Sequence, residues 1–327
     1  MLIIKALVQN LEFKQRITEK LNHSNIPFEF VNYSEPLIPQ IQDSEILINS
    51  VDRIDRQIIN SCPNLKLVQQ SGIGVDGIDI DYCSERGIYV ANVPMANAIS
   101  VAEHTFLLIL YLSKNIKLNS FSSNPNSGAF IRRMPDHMGI ELSGKTILIL
   151  GLGVTGIEVA KRAKAFGMKV IAVTKHPFTK TEGGDKKYFV DSIFGVDKLP
   201  QALPLADIVS IHTPLNNETE NMISKKEMDL MKKSAYLINV ARAPVVNHEA
   251  LFISLRDKNI SGAAFDVFWK EPADQNDDLL KLDNFLLTPH IAGWTYEAID
   301  SISDIIRINI ERMMRGQIPL TLVNHID

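Results

Sequence analysis

The chain has 327 residues, 45% of them hydrophobic and 22% charged, enough for two globular domains with well-formed cores. Its net charge of −4 comes from interspersed acids and bases, which excludes an electrostatically driven nucleic-acid or anionic-membrane binder. Cys62 and Cys83 are the only cysteines; they make no disulfide framework and no zinc spacing, and read as small buried hydrophobes.

The N-terminus is too short for a signal core and reads as a strand over Leu2–Val8. A helix over Glu12–Leu21 follows, then short strands at Phe28–Val31 and Glu45–Ile48. Leu65–Gln69 is the last strand before the loop Ser71–Gly77. Ser100-Val-Ala-Glu103 has the capping-box pattern and opens an apolar helix from Val101 to about Asn115. Its longest apolar run, Phe106–Leu112, is too short to span a bilayer, so a cytoplasmic location is the default expectation. Asn119–Gly139 loses periodicity and gathers Ser, Asn, Pro and Gly, as an extended connection or an arm packing on a partner chain would.

Lys145–Ala160 carries the strongest local signal. Ile147–Leu150 is an unbroken apolar run, suited to a strand covered on both faces. Gly151, Gly153 and Gly156 follow with G-x-G-x-x-G spacing, where the three glycines serve a tight turn, close backbone approach to a pyrophosphate, and close helix–strand packing. Helical spacing resumes from Ile157, Gly167 closes that helix, and Lys169–Val173 is a strand. Set between a strand and a helix, this turn points to a dinucleotide. Further strands are expected at Ala206–His212, Ala235–Val240, Ser261–Asp266 and Asn284–Thr288. Helices are expected at Ser224–Lys233, after Asn247, and from near Thr295 to Gly316. No solenoid repeat or low-complexity tract interrupts the alternation, which argues for parallel sheets with crossover helices. Only the second sheet carries the glycine pattern, so a middle nucleotide domain flanked by the two parts of another would place an active site in a cleft between them.

Three polar side chains follow strand ends in the second half. Alone, each is ordinary: Arg242 a surface arginine, Glu271 a loop acid, His290 a structural histidine. Strand C-termini converge on the ligand crevice of a doubly wound sheet, so together the three can meet over one ligand. The arginine could clamp a carboxylate bidentately, as a 2-oxo or 2-hydroxy acid requires. A carboxylate beside the histidine would orient it and raise its pKa, making it a proton donor near neutral pH.

With these residues in place, the chain resembles the D-isomer-specific 2-hydroxyacid dehydrogenase family along nearly its whole length. The matching stretches are Gly72-Ile-Gly-Val-Asp-Gly-Ile-Asp79, Val101-Ala-Glu-His104, Leu142-Ser-Gly-Lys145 and Gly151-Leu-Gly-Val-Thr-Gly156. Ile211-His-Thr-Pro-Leu215, Ile238-Asn-Val-Ala-Arg242, Gly262-Ala-Ala-Phe-Asp266 and Thr288-Pro-His-Ile-Ala-Gly293 continue the order. The resemblance implies an α/β protein of two Rossmann-like domains with parallel sheets and a cleft between them. Residues 1–98 with 294–327 would form a flavodoxin-like substrate-binding domain, and 99–293 the dinucleotide-binding domain.

It also implies hydride transfer between NAD(P)H and C2 of the substrate. By position, Arg242 would hold the substrate carboxylate and polarise the carbonyl, His290 would be the acid/base, and Glu271 its partner. Asp266 would lie near the nicotinamide carboxamide, and the backbone at Ile73 and Gly74 would bind the substrate carboxylate. Val154, Thr155, His212, Thr213, Pro214, Val240, Ala241 and Gly293 fall at cofactor positions, with no metal. A homodimer through the nucleotide domain is the family's habit, with Asn119–Gly139 as its arm. Two alternatives stay open on the same scaffold: a formate- or phosphonate-type dehydrogenase, and a dinucleotide-sensing protein without turnover.

Three departures from the family pattern matter. Ala243 and Asn247 replace a usual glycine and a usual acid. The acidic residue expected about twenty residues beyond the glycines, to bind the adenosine ribose, is Thr174 here, followed by Lys175 and His176. With no carboxylate to repel a 2′-phosphate and a cation at hand, NADP is favoured over NAD. No C-terminal regulatory domain is expected from the chain's length. Leu47–Val51 lacks the arginines of related phosphoglycerate enzymes, although Arg53 is close, and Trp294 could wall the site; a small or apolar-tailed 2-oxoacid is expected.

Overall fold

The structure, a computed structural model, describes residues 2–116, 138–177 and 189–326. The chain divides into two compact units, Met1–Asn97 with Trp294–Asp327, and Ala98–Gly293. The first begins β1 (Ile4–Leu7), α1 (Leu11–His23), β2 (Glu29–Phe30), α2 (Leu37–Ile41) and β3 (Ile46–Asn49). It continues with α3 (Arg56–Ser61), β4 (Leu67–Gln70), α4 (Ile80–Glu85) and β5 (Tyr89–Ala91). The second opens with α5 (Ala98–Ser113), β6 (Thr146–Leu150), α6 (Val154–Ala165), β7 (Lys169–Val173), β8 (Ser192–Phe194) and α7 (Leu199–Ala202). It ends with β9 (Ile208–Ile211), α8 (Lys225–Met228), β10 (Tyr236–Asn239), α9 (His248–Arg256), β11 (Gly262–Phe265) and β12 (Phe285–Leu287). Helix α10 (Tyr296–Met314) belongs to the first unit.

The first sheet is parallel in the order β2-β1-β3-β4-β5, a doubly wound arrangement. Successive strand residues feed opposite cores. Ile46, Ile48 and Leu67 face Phe13, Ile17, Leu21 and Ile306, while Leu47 and Val68 face Ile41, Ile59 and Cys83. Asn10 caps α1 by accepting the Phe13 N–H at 2.9 Å, and the helix buries Phe13, Ile17 and Leu21 at intervals of four. Thr295 caps α10, which packs beside α1; Lys20 bridges to Asp300 and Asp304. Trp294 meets the Phe13 ring edge-on, with centroids 6.0 Å apart. After β4 the loop is anchored through its carbonyls: Val93 N–H donates to Gly72 O at 3.1 Å and Asn92 Nδ2 to Ile73 O at 2.8 Å.

The second sheet is parallel in the order β12-β11-β10-β9-β6-β7-β8. The winding reverses between β6 and β9, so the ligand crevice of such a sheet lies at the C-terminal ends of those strands. Ile147 and Ile149 pack with Phe106, Ile157 and Val159 on one face. Leu148 and Leu150 pack with Met228, Leu251 and Leu255 on the other. Burial on both faces is why the strands read as continuous apolar runs. Cys62 and Cys83 are fully buried without a disulfide, and burial pushes the Cys83 thiol up to about 12.

Several sequence expectations shift. Helix α5 begins at Ala98, so Ser100 is not its cap; the hydroxyl instead donates to Ala292 O at 2.6 Å, and Glu103 pairs with Arg162. Helix α6 begins at Val154, three residues before the apolar pattern starts. The Ser224 segment forms a single helical turn that buries Met228, then breaks into turns that bury Met231. Helices α2, α3 and α4 and strands β5 and β8 are too short to show a period. The expected Asn119–Gly139 arm lies outside the described residues except for its last two. Among the described residues no helix is long and apolar enough to cross a membrane, and no group of three or more metal-ligand side chains gathers.

Candidate active site

The glycine turn sits at the switch point. Gly151 adopts φ +95°, and a Cβ there would stand 2.6 Å from the His212 carbonyl oxygen. The next strand therefore presses on the turn. A Cβ on Gly156 would stand 2.2 Å from Gly151 O, so α6 reaches its place only without a side chain there. Gly153 is the N-cap of α6, makes no side-chain cap, and has open space where a Cβ would be. The first N–H groups of α6, at Val154, Thr155 and Gly156, have no acceptor within the helix. This cradle fits a pyrophosphate, which the amides and the helix dipole would bind.

His212 follows β9, its Nε2 lies 2.7 Å from Ser210 Oγ, and burial drives its pKa down to about 3, so it is neutral. Thr213 and Pro214 come next, with Pro214 O accepting from Thr219 Oγ1 at 2.7 Å. At the end of β7, Thr174 N–H bonds Phe194 O, and His176 is exposed. Lys175 Nζ lies 2.7 and 2.9 Å from the two carboxylate oxygens of Glu218. The expectation that no carboxylate stands here is therefore corrected. Glu218 is 43 residues away in sequence, and the fold of the loop after β9 brings it in.

Arg242 follows β10 and leads into a 3-10 turn, Ala243–Val245. Buried Asn239 fixes this loop, donating to Arg242 O at 2.9 Å and accepting the Ala241 N–H at 3.0 Å across Val240. Arg242 Nη1 donates to Ala241 O. After β11, Glu271 accepts the Phe268 N–H at 2.9 Å through one oxygen and meets His290 Nδ1 at 2.7 Å through the other. The Glu271 hydrogen bond, opposed by burial, raises the His290 pKa above its ordinary value. Burial alone would raise Glu271, but its bonds to His290 and Phe268 outweigh that and lower it. The Arg242 charge acts on both groups as a smaller contribution. Arginine, glutamate and histidine are thus gathered in one unit.

His290 has φ +55°, the left-handed region that costs a side-chain-bearing residue about 1 kcal/mol. Asp266 lies beneath its loop, 1% exposed. It accepts the Ile291 N–H at 3.0 Å, the Ala292 N–H at 2.7 Å and Thr288 Oγ1 at 2.5 Å. These donors tie its carboxylate to the loop that follows β12. Asn239, Ser100, His104 and Thr288 were not singled out by residue chemistry. Their signal is polar character inside or at the end of an apolar element, and it becomes meaningful only once partners are visible. Gly293 closes this unit; Ile73, 44% exposed, and Gly74 lie in the other.

A glycine cradle at the switch point is the mark of a dinucleotide-binding α/β sheet, and here an arginine and a carboxylate–histidine pair follow neighbouring strands of the same sheet. Residues 106–292 match the family described as D-isomer specific 2-hydroxyacid dehydrogenase, NAD binding domain. Glyoxylate reductase of Thermofilum pendens is 37% identical over 293 residues, 89% of this chain and 84% of that protein. D-3-phosphoglycerate dehydrogenase of Methanocaldococcus jannaschii is 36% identical over 89% of this chain, which spans only 53% of that protein's length. The structure of D-lactate dehydrogenase from Aquifex aeolicus with NAD and lactic acid superposes with a TM-score of 0.84 at 28% identity, covering 99% of this chain and 100% of that one. The chain belongs to the D-isomer specific 2-hydroxyacid dehydrogenase family and is an oxidoreductase that uses a nicotinamide dinucleotide.

Proposed function

We propose that this protein reduces a small 2-oxoacid to the D-2-hydroxyacid, reversibly, with Arg242 on the substrate carboxylate and carbonyl, His290 as acid/base and Glu271 as its partner. The 2.7 Å contact between His290 Nδ1 and Glu271 Oε2 carries this reading. An ionised carboxylate only accepts, so the shared proton belongs to Nδ1. Nε2 is then the nitrogen that exchanges a proton with the substrate oxygen. The Glu271 hydrogen bond raises the His290 pKa and so favours the protonated ring, the form that proton donation to a carbonyl oxygen requires. The Arg242 fork binds the carboxylate and draws charge from the carbonyl. The bound nicotinamide supplies the hydride to C2. In the first unit, the amides of Ile73 and Gly74 are assigned to a carboxylate, on a loop held through its carbonyls.

The cofactor assigned is NADP in preference to NAD. Thr174 leaves no acid at the usual ribose position, and Lys175 can turn to a 2′-phosphate. Its pair with Glu218 is about two-thirds exposed on both sides, and such pairs are worth at most about 1 kcal/mol, so a phosphate can displace the carboxylate. Oxidation of formate or phosphonate needs no proton donor to a carbonyl, so the paired His290 favours hydroxyacid chemistry.

NADPH oxidation should be followed by absorbance against glyoxylate, hydroxypyruvate, pyruvate and longer 2-oxoacids, with NADH in parallel. Turnover of a small 2-oxoacid is expected, faster in kcat/KM with NADPH. His290→Asn should lose on the order of 10²–10⁴ in kcat with cofactor affinity retained. Tight NADPH binding without turnover of any substrate would favour a dinucleotide sensor instead.

A further inference from the structure

The apolar run of α5 conceals one charged-type side chain whose place the proposed chemistry leaves unexplained. His104 is 10% exposed, and its Nε2 lies 2.9 Å from Thr288 Oγ1 and 3.4 Å from Asp266 Oδ1. Thr288 Oγ1 lies 2.5 Å from the same Asp266 oxygen. Asp266 in turn holds the N–H groups of Ile291 and Ala292, the two residues after His290. One helical turn before His104, Ser100 Oγ holds the Ala292 carbonyl. Two α5 side chains therefore grip the loop that carries the left-handed His290.

The protons along this chain can be assigned. Burial alone would raise the Asp266 pKa, but the hydrogen bonds from His104, Thr288, Ile291 and Ala292 prevail and lower it. The carboxylate is thus ionised and only accepts. Thr288 has a single hydroxyl proton, and at 2.5 Å it goes to Asp266. The Thr288 oxygen must then accept from His104, which requires the proton on Nε2.

We propose that His104 and Thr288 are positioning residues for His290: the relay from His104 Nε2–H through the Thr288 hydroxyl to Asp266 holds the His290 loop in its left-handed conformation. The relay explains why a histidine occurs on the buried face of an apolar helix. It also gives Asp266 a role in aiming the acid/base, resting on the function proposed above for His290. Loss of the relay leaves Asp266 with fewer donors, frees the loop to relax out of the left-handed region and misdirects His290 Nε2. Displacing a reacting group by about an ångström costs on the order of 10² in rate.

The test uses two pairs of variants in the full chain. Thr288→Val and His104→Leu remove the hydroxyl and the N–H donor at similar size, whereas Thr288→Ser and His104→Gln keep them. The first pair should lower kcat for 2-oxoacid reduction by roughly 10²-fold, with KM for the cofactor and the melting temperature little changed. The second pair should recover most of the rate. Independently, ¹⁵N NMR of the imidazoles should show His104 as the Nε2–H tautomer in the parent and in Thr288→Ser. Wild-type rates in Thr288→Val, a serine variant as slow as the valine one, or an Nδ1–H tautomer in the parent would each overturn the relay. A parent that reduces no 2-oxoacid would defeat the proposed function alone, because the tautomer still scores the hydrogen-bond chain.

Discussion

Glu271 is the largest cause of the raised His290 pKa, and Glu271→Gln removes its charge while keeping its shape. Oxoacid reduction needs the protonated ring, so its kcat/KM should be flat at low pH and fall as pH rises through the His290 pKa. In Glu271→Gln that fall should move to lower pH, and the pH optimum of the reverse oxidation should move the same way. An unchanged profile would remove Glu271 from the mechanism. The linkage also has a stability side. The raised His290 contributes below the ordinary imidazole value of 6.5 and loses its contribution as pH rises through its folded pKa. The lowered Glu271 contributes above the ordinary carboxyl value of 4.5 and loses its contribution on acidification. Between these values the pair helps the fold most, by a small amount because the histidine side chain is half exposed. Glu218 offers a second residue-level test. Glu218→Gln frees Lys175 for a 2′-phosphate and should raise the NADPH-to-NADH ratio of kcat/KM by up to about fivefold, the worth of an exposed pair; no change would separate Lys175 from cofactor choice. Arg242, Glu271 and His290 stood out as candidates in the sequence because each lies within a few residues of a strand end. Glu218, His104 and Thr288 were not, because only folding gives them partners.

Among the elements, the strand–turn–helix at Gly151–Gly156 bears most directly on cofactor binding. Gly156→Ala would place a methyl 2.2 Å from Gly151 O, where the neighbour is backbone and has little room to move. Overpacking of this kind costs about 1–3 kcal/mol. The expected result is a lower melting temperature and weaker NADPH binding, measured by thermal unfolding and fluorescence titration. Full affinity would mean that α6 shifts without disturbing its amides. The helix starts expected at Asn247 and near Thr295 hold, because both side chains accept N–H groups three residues on. Ser100 has the same local pattern but spends its hydroxyl on Ala292, a residue almost two hundred positions away. A capping motif records what a side chain can do locally and leaves open which tertiary partner takes it first.

At the scale of the molecule, the family resemblance implies pairing through the nucleotide-binding unit. Helix α5 leaves Ile99 58% and Leu107 57% exposed, and Phe166, stacked on Phe106, is 40% exposed. These exposed apolar side chains are where such a pairing would be tested first. Light scattering after size exclusion should give twice the 36.6 kDa chain mass, and Leu107→Glu should shift it towards the monomer; a monomeric parent would refute the pairing. The two sheet orders complete the account. Unbroken apolar strands alternating with helical segments determined, from the sequence by itself, parallel doubly wound sheets and a dinucleotide turn, since burial on both faces leaves its mark residue by residue. Which strands are neighbours, where the winding reverses, and which distant side chain answers Lys175, Asp266 or Ala292 was decided only by the tertiary structure. Such partners are chosen by distance in space, and a hydrogen bond or ion pair across tens or hundreds of residues leaves no periodic trace in the chain.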